Sequence, residues 1–178
     1  MLYFITGNKF KFNEVQHFFP EIRRLDIDLP EIQEVDAKKI VAHKLQAALE
    51  HHSGPFIIED TSIYLNCLND LPGPLGKWFE KSLGDEKLAS ICIQLNDTRA
   101  RCTTIIGYAR NRQDVRFFEG SIEGNLVQPR GDRSFGFNAI FQPQGLSKTF
   151  GEMTIAEKNK ISMRGIALKK LKEYLKNQ

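Results

Sequence analysis

The feature that most restricts this chain's fold is an alternation near its N-terminus, where short apolar runs of strand length are separated by stretches of helical spacing. Leu2 to Thr6 reads as a short buried strand, broken by Gly7 and Asn8. Phe12, Val15 and Phe19 then recur with helical spacing as far as Pro20. Ile22, Leu25, Ile27 and Leu29 fit a second strand that ends at Pro30. Asp36 stands where a helix cap belongs, ahead of Ile40, Val41, Leu45, Ala48 and Leu49. Pro55 to Ile58 is an apolar run that stops at Glu59 and Asp60. Strands that alternate with helices in this way predict an α/β fold.

Beyond residue 70 the pattern changes. Leu71 to Lys77 is a Pro/Gly loop, and Asp85 to Leu95 has helical spacing. Arg101 to Arg110 and Val115 to Ile122 are β-rich and joined by a polar NRQD turn, which predicts a hairpin. An irregular stretch, PRGDRSFGFN, precedes a short strand at Ala139 to Phe141. Thr154 and Glu157 have capping-box spacing at the start of a helical C-terminus with an apolar stripe of Ile166, Leu168, Leu171 and Leu175. The sheet should therefore be mixed. The 178 residues fit one domain, residues 1–178, large enough to form two lobes around a cleft.

The bulk numbers exclude more than they select. A net charge of +3, from 25 basic and 22 acidic side chains, is too small to argue for a nucleic-acid or membrane surface. Cys67, Cys92 and Cys102 form no CxxC pair and no zinc spacing with the four histidines. Such thiols fit a reducing compartment and a core role. The start, MLYFITGNKF, reads as a strand and not as a signal peptide, and no apolar run reaches the ~20 residues of a membrane helix. A cytoplasmic protein is expected.

Four segments carry residue types suited to chemistry. In TGNKFK, Thr6 to Lys11, a strand, a polar turn and a helix start gather backbone N–H groups at one point, which suits a phosphate. Lys9 and Lys11 add charge there, or are simply solvated. In FIIEDTS, Glu59 and Asp60 follow an apolar strand, where neighbouring acids can bind Mg²⁺ or activate water, or merely cap a turn. Lys44, Lys77 and Lys158 lie near helix starts or Gly/Pro loops, as polyphosphate chemistry requires of its cations and as surface lysines commonly do. In SFGFN, Phe135 and Phe137 beside Gly136 make either a flat slot for a base or part of a core. No Ser/His/Asp or Cys/His arrangement is suggested.

Taken in order, TGNKFK, LPEIQ, the helix with Lys44, EDT, LPGPLGKW, SFGFN, AEKNKIS and Arg164 resemble the inosine triphosphate pyrophosphatase (Ham1-like) family across nearly the whole chain. The resemblance implies an elongated mixed α/β sheet with two lobes around a central cleft, a homodimer and a Mg²⁺ requirement, with Mn²⁺ as an alternative. It implies hydrolysis of ITP, dITP and XTP between the α and β phosphates. Thr6, Gly7, Asn8, Lys9 and Lys11 would hold the triphosphate. Glu31 and Asp60 would ligate the metal, Asp60 would also activate water, and Glu59 would support it. Lys44, Lys77 and Lys158 would contact chiefly the phosphates. Phe135, Gly136, Phe137, Asn138, Met163 and Arg164 would form the base pocket.

Two residues depart from the family pattern. Asn138 stands where the family usually has Asp, and Met163 where it has His. An amide both donates and accepts, whereas a carboxylate only accepts. Relaxed or altered base choice with intact hydrolysis is therefore expected. The competing expectations are a nucleotide-binding module without turnover and a pyrophosphatase for modified pyrimidine nucleotides.

Overall fold

A computed structural model describes all residues, Met1–Gln178. It contains one seven-stranded sheet of order β2-β1-β3-β5-β6-β7, with β4 paired to β3 beside this path. The strands are β1 (Tyr3–Ile5), β2 (Arg23–Leu25), β3 (Phe56–Leu65), β4 (Pro72–Gly73), β5 (Arg99–Ala109), β6 (Val115–Leu126) and β7 (Phe141–Pro143). The helices are α1 (Lys9–Gln16), α2 (Ala37–His51), α3 (Gly76–Gln94), α4 (Ile155–Ile161) and α5 (Met163–Lys176). β1 is parallel to β2 and β3, and every later pairing is antiparallel, so the sheet is mixed as expected.

The pleat of the long strands divides the core. Phe4, Ile57, Ile106 and Tyr108 face α1 and α5, where Val15, Leu168 and Leu171 complete one apolar layer. Ile5, Phe56, Ile58, Ile105 and Ala109 face α2 and meet Val41, Leu45 and Ala48. Further along the same strands, Ile63, Leu65 and Cys102 pack with Leu88 and Cys92 of α3 and with Phe141 and Phe150. β3, β5 and β6 thus run beneath all three clusters and tie the two ends of the molecule together. No helix is long and apolar enough to cross a membrane.

Several boundaries differ from the sequence expectation. α1 ends at Gln16, so Phe19 packs from the following turn. The second strand is only Arg23–Leu25, and the short strand after SFGFN is Phe141–Pro143, with Gly136–Ala139 in a turn of 3₁₀ helix. Helix α3 begins at Gly76, inside the expected loop. Gly84, at φ +73°, interrupts it by adopting a backbone conformation that other residues resist. The most consequential difference is β3, which does not stop at Glu59 but continues to Leu65, paired with β5 throughout.

The C-terminal helical segment is broken at Ser162, whose backbone is extended. Its hydroxyl accepts from Gly165 N and so caps α5. This break turns Met163 and Arg164 toward the sheet. Gly120 of β6 makes the approach possible, because a Cβ there would lie 2.0 Å from the Met163 carbonyl oxygen. Gly120→Ala should cost about 2–3 kcal/mol through overpacking against backbone. Thermal denaturation should then show Tm lower by roughly 5–10 °C, and an unchanged Tm would show that α5 is not held this closely.

Candidate active site

One cavity of about 630 Å³ opens between the two ends of the sheet. Every expected site residue lines it except Lys9. Lys9 is exposed, because two steps along a helix turn the side chain about 200° from Lys11. Phe10, Asp28, Glu80 and Lys81 also line the cavity and were not anticipated.

The polar end is built by β1, α1, β3 and α2. Thr6 Oγ1 accepts from Asn8 N at 3.1 Å, and Asn8 Oδ1 accepts from Lys11 N at 3.1 Å, which caps α1 and fixes the turn. Lys44 shares the buried face of α2 with Ile40, Val41, Leu45 and Ala48, so its side chain is directed inward and is 12% exposed. Its ammonium lies 2.5 Å from Glu31 Oε2 and 3.5 Å from Asp60 Oδ1. Two carboxylates from distant segments therefore converge on one cation position. Burial tends to raise the Glu31 carboxyl, but Lys44, Lys77 and Lys11 together outweigh this and lower it. For Asp60 burial dominates, and with Glu31 and Glu59 nearby the carboxyl is raised despite Lys11 and Lys44.

Glu59 and Asp60 are adjacent in sequence but do not act as a pair. The strand's period of two sends Asp60 to the α2 face and Glu59 to the α5 face. There Glu59 accepts from Arg164 Nε at 2.7 Å and Arg164 Nη2 at 2.9 Å, and pairs with Lys11 Nζ at 3.0 Å. Burial alone would raise the Glu59 carboxyl, but Arg164 and Lys11 hold it at about 2. Arg164 also pairs with Glu14 and donates to Thr61. Its guanidinium lines the cavity but is buried and committed to other side chains, and its Cζ lies 5.8 Å from the centre of the Phe135 ring.

The other end is aromatic. Phe135 stacks on Phe10 with ring centres 5.2 Å apart and planes 11° from parallel. Phe137 closes against Gly76, where a Cβ would lie 3.0 Å from the ring. Lys158, expected beside the phosphates, stands here instead. Its Nζ donates to Glu14 and Asn138, each at 2.7 Å, and lies 5.2 Å from the Phe135 and Phe150 ring centres. Capping of α4 by Thr154 leaves Lys158 on the inward side of that short helix. Met163 lines the cavity but is largely a core residue. Glu14, the centre of the ion-pair network, was missed. Its only sequence signal is the helical spacing that aligns it with Lys11 and beside buried Val15.

The sequence model of the Ham1 family matches residues 2–174. Inosine triphosphate pyrophosphatase of Schizosaccharomyces pombe is 38% identical over 179 residues, covering 98% of this chain and 95% of that protein. The protein of the same name from Phaeosphaeria nodorum is 40% identical over 178 residues, covering 98% and 93%. Two solved structures share the fold: a Staphylococcus aureus Ham1 protein (TM-score 0.82, 22% identity, 99% of each chain) and a Coxiella burnetii HAM1 protein (TM-score 0.81, 24% identity, 100% of each chain).

The network makes a stability prediction. Arg164→Ala leaves buried Glu59 with Lys11 alone and buried Glu14 with Lys158 alone, and should cost about 3–5 kcal/mol in chemical denaturation. Glu59 is ionised more easily folded than unfolded, so its contribution is present above the unfolded carboxyl's range and is lost as pH falls toward about 2. Glu59→Gln should therefore flatten the acid limb of the stability profile. An acid limb of unchanged slope would show that Glu59 is not held in this way.

Proposed function

The chain belongs to the Ham1 family, and we propose that it is a nucleoside-triphosphate pyrophosphatase that converts ITP, dITP and XTP to the monophosphate and pyrophosphate. The observation that carries this reading is the union, in one cavity, of a cation-and-carboxylate end and an aromatic end. A nucleotide has the matching polarity, with a polyphosphate at one end and a flat base at the other. The relatives' shared name, inosine triphosphate pyrophosphatase, supports the same substrate class.

Glu31 and Asp60 would hold Mg²⁺, with Mn²⁺ as the alternative. Their fit to a divalent ion rests on the way both carboxylates are already drawn to the Lys44 ammonium, and hard oxygen donors suit Mg²⁺. Bound there, the ion would neutralise polyphosphate charge. The N–H groups of the Thr6-to-Lys11 turn, with Lys11, Lys44 and Lys77, would cradle the phosphates. Asp60 takes the proton of the attacking water. The water oxygen bonds to the α-phosphorus, the bond from that phosphorus to the αβ-bridging oxygen breaks, and pyrophosphate leaves with the electron pair. Glu59 is committed to Arg164 and Lys11, so its part is to position Lys11. The homodimer belongs to this reading, and light scattering that returned the mass of a single chain would remove it.

Pyrophosphate release from ITP, XTP, dUTP and ATP with Mg²⁺ tests the activity. Release that is abolished by excess EDTA is expected. Nucleotide binding without release would leave a binding module, and release from dUTP but not ITP would leave a pyrimidine-nucleotide enzyme. Asp60→Asn should lower kcat at least about a hundredfold with Tm little changed. Wild-type kcat in that variant would remove Asp60 from both of its roles.

A further inference from the structure

Asn138 stands at the aromatic end of the cavity, and one end of its amide is already engaged. Its Oδ1 accepts from Lys158 Nζ at 2.7 Å. An ammonium donates three hydrogens and accepts none, so only the amide oxygen can face it. Lys158 has no freedom to turn elsewhere. Its side chain is 4% exposed, Glu14 pairs with it at 2.7 Å, and Glu14 is tied in turn to Arg164. The amide nitrogen of Asn138 therefore points away from Lys158. It donates to no protein group and is not sealed from solvent, and Asn138 lines the cavity, so its N–H bonds are open to it.

We propose that Asn138, with its donor end fixed outward by the Glu14–Lys158 relay, makes the base slot permissive, so that 6-amino purine triphosphates are accepted alongside 6-oxo purines. This rests on the nucleotide reading of the cavity. A 6-amino purine offers a ring-nitrogen lone pair on the edge where a 6-oxo purine carries a ring N–H beside its carbonyl. An outward amide N–H can bond to that lone pair or to the carbonyl oxygen. A carboxylate in the same place would have one oxygen held by Lys158 and the other turned to the cavity. It would accept the ring N–H and repel the lone pair. Asn and Asp are nearly isosteric, so exchanging them reverses the polarity of the slot without changing its shape.

The experiment compares kcat/KM for ITP and ATP in the wild type and in Asn138→Asp, with pyrophosphate release as the readout and thermal melts to confirm folding. The ITP-to-ATP ratio should rise by about tenfold or more in Asn138→Asp, largely through loss of the ATP reaction. Asn138→Ala should lose ATP turnover without gaining on ITP. A ratio that stays within about twofold of wild type, or that moves toward ATP, overturns the proposal. If the wild type releases pyrophosphate from no triphosphate, the hydrolase reading fails separately. Equilibrium binding of ITP and ATP to the same proteins then supplies the ratio, and the same shifts support or overturn the role of Asn138.

Discussion

A line of charges of alternating sign, Lys158, Glu14, Arg164, Glu59 and Lys11, runs through the middle of the molecule, and the two ends of the cavity depend on it. It joins α4, α1, α5 and β3. Isolated charges at this depth would be prohibitively costly, and only their mutual pairing makes them tolerable. The balance is not neutral: three cations against two carboxylates leave one positive charge on the network. The same line that closes the core therefore biases the cavity electrostatically.

The second constraint is the pleat of β3. Because neighbouring side chains on a strand oppose one another, the Glu59–Asp60 dipeptide becomes two separate devices. Asp60 reaches the cation position shared with Glu31 and Lys44, while Glu59 is drawn into the network with Arg164. Burial acts on both carboxyls in the same sense, but the cations around them differ, so one is raised and the other held low. Such divergence of adjacent acids is the pattern by which a site divides roles between two like groups.

Much of this was legible in the sequence where the interaction is local. The Asp36 cap, the Thr154–Glu157 capping box and the β5–β6 hairpin are all short-range, and each stands where its residues indicate. The extent of β3 was not legible, because Glu59 and Asp60 are poor strand formers taken singly. Their place in the strand is stabilised by Arg164, 105 positions away for Glu59, and by Lys44 for Asp60. Glu14 was missed for the same reason: its partners lie 144 and 150 positions along the chain. The orientation of Lys158 was set by the Thr154 cap of α4 and that of Arg164 by the break at Ser162, which no periodicity announces.

The continuity of β3 beneath the whole cavity also fixes a length. Asp60 belongs to the polar end, and Ile63, three positions on, lies where Phe137 and Gly76 close the aromatic end. At a strand's rise of about 3.3 Å per residue that interval is roughly 10 Å, and pairing with β5 along its whole length, with β4 joining at Ile63, makes it inextensible. The sheet thus works as a ruler. A ligand can fill both ends only if a spacer of suitable reach separates its flat and anionic parts, so bare polyphosphate or a free base can satisfy only half of it.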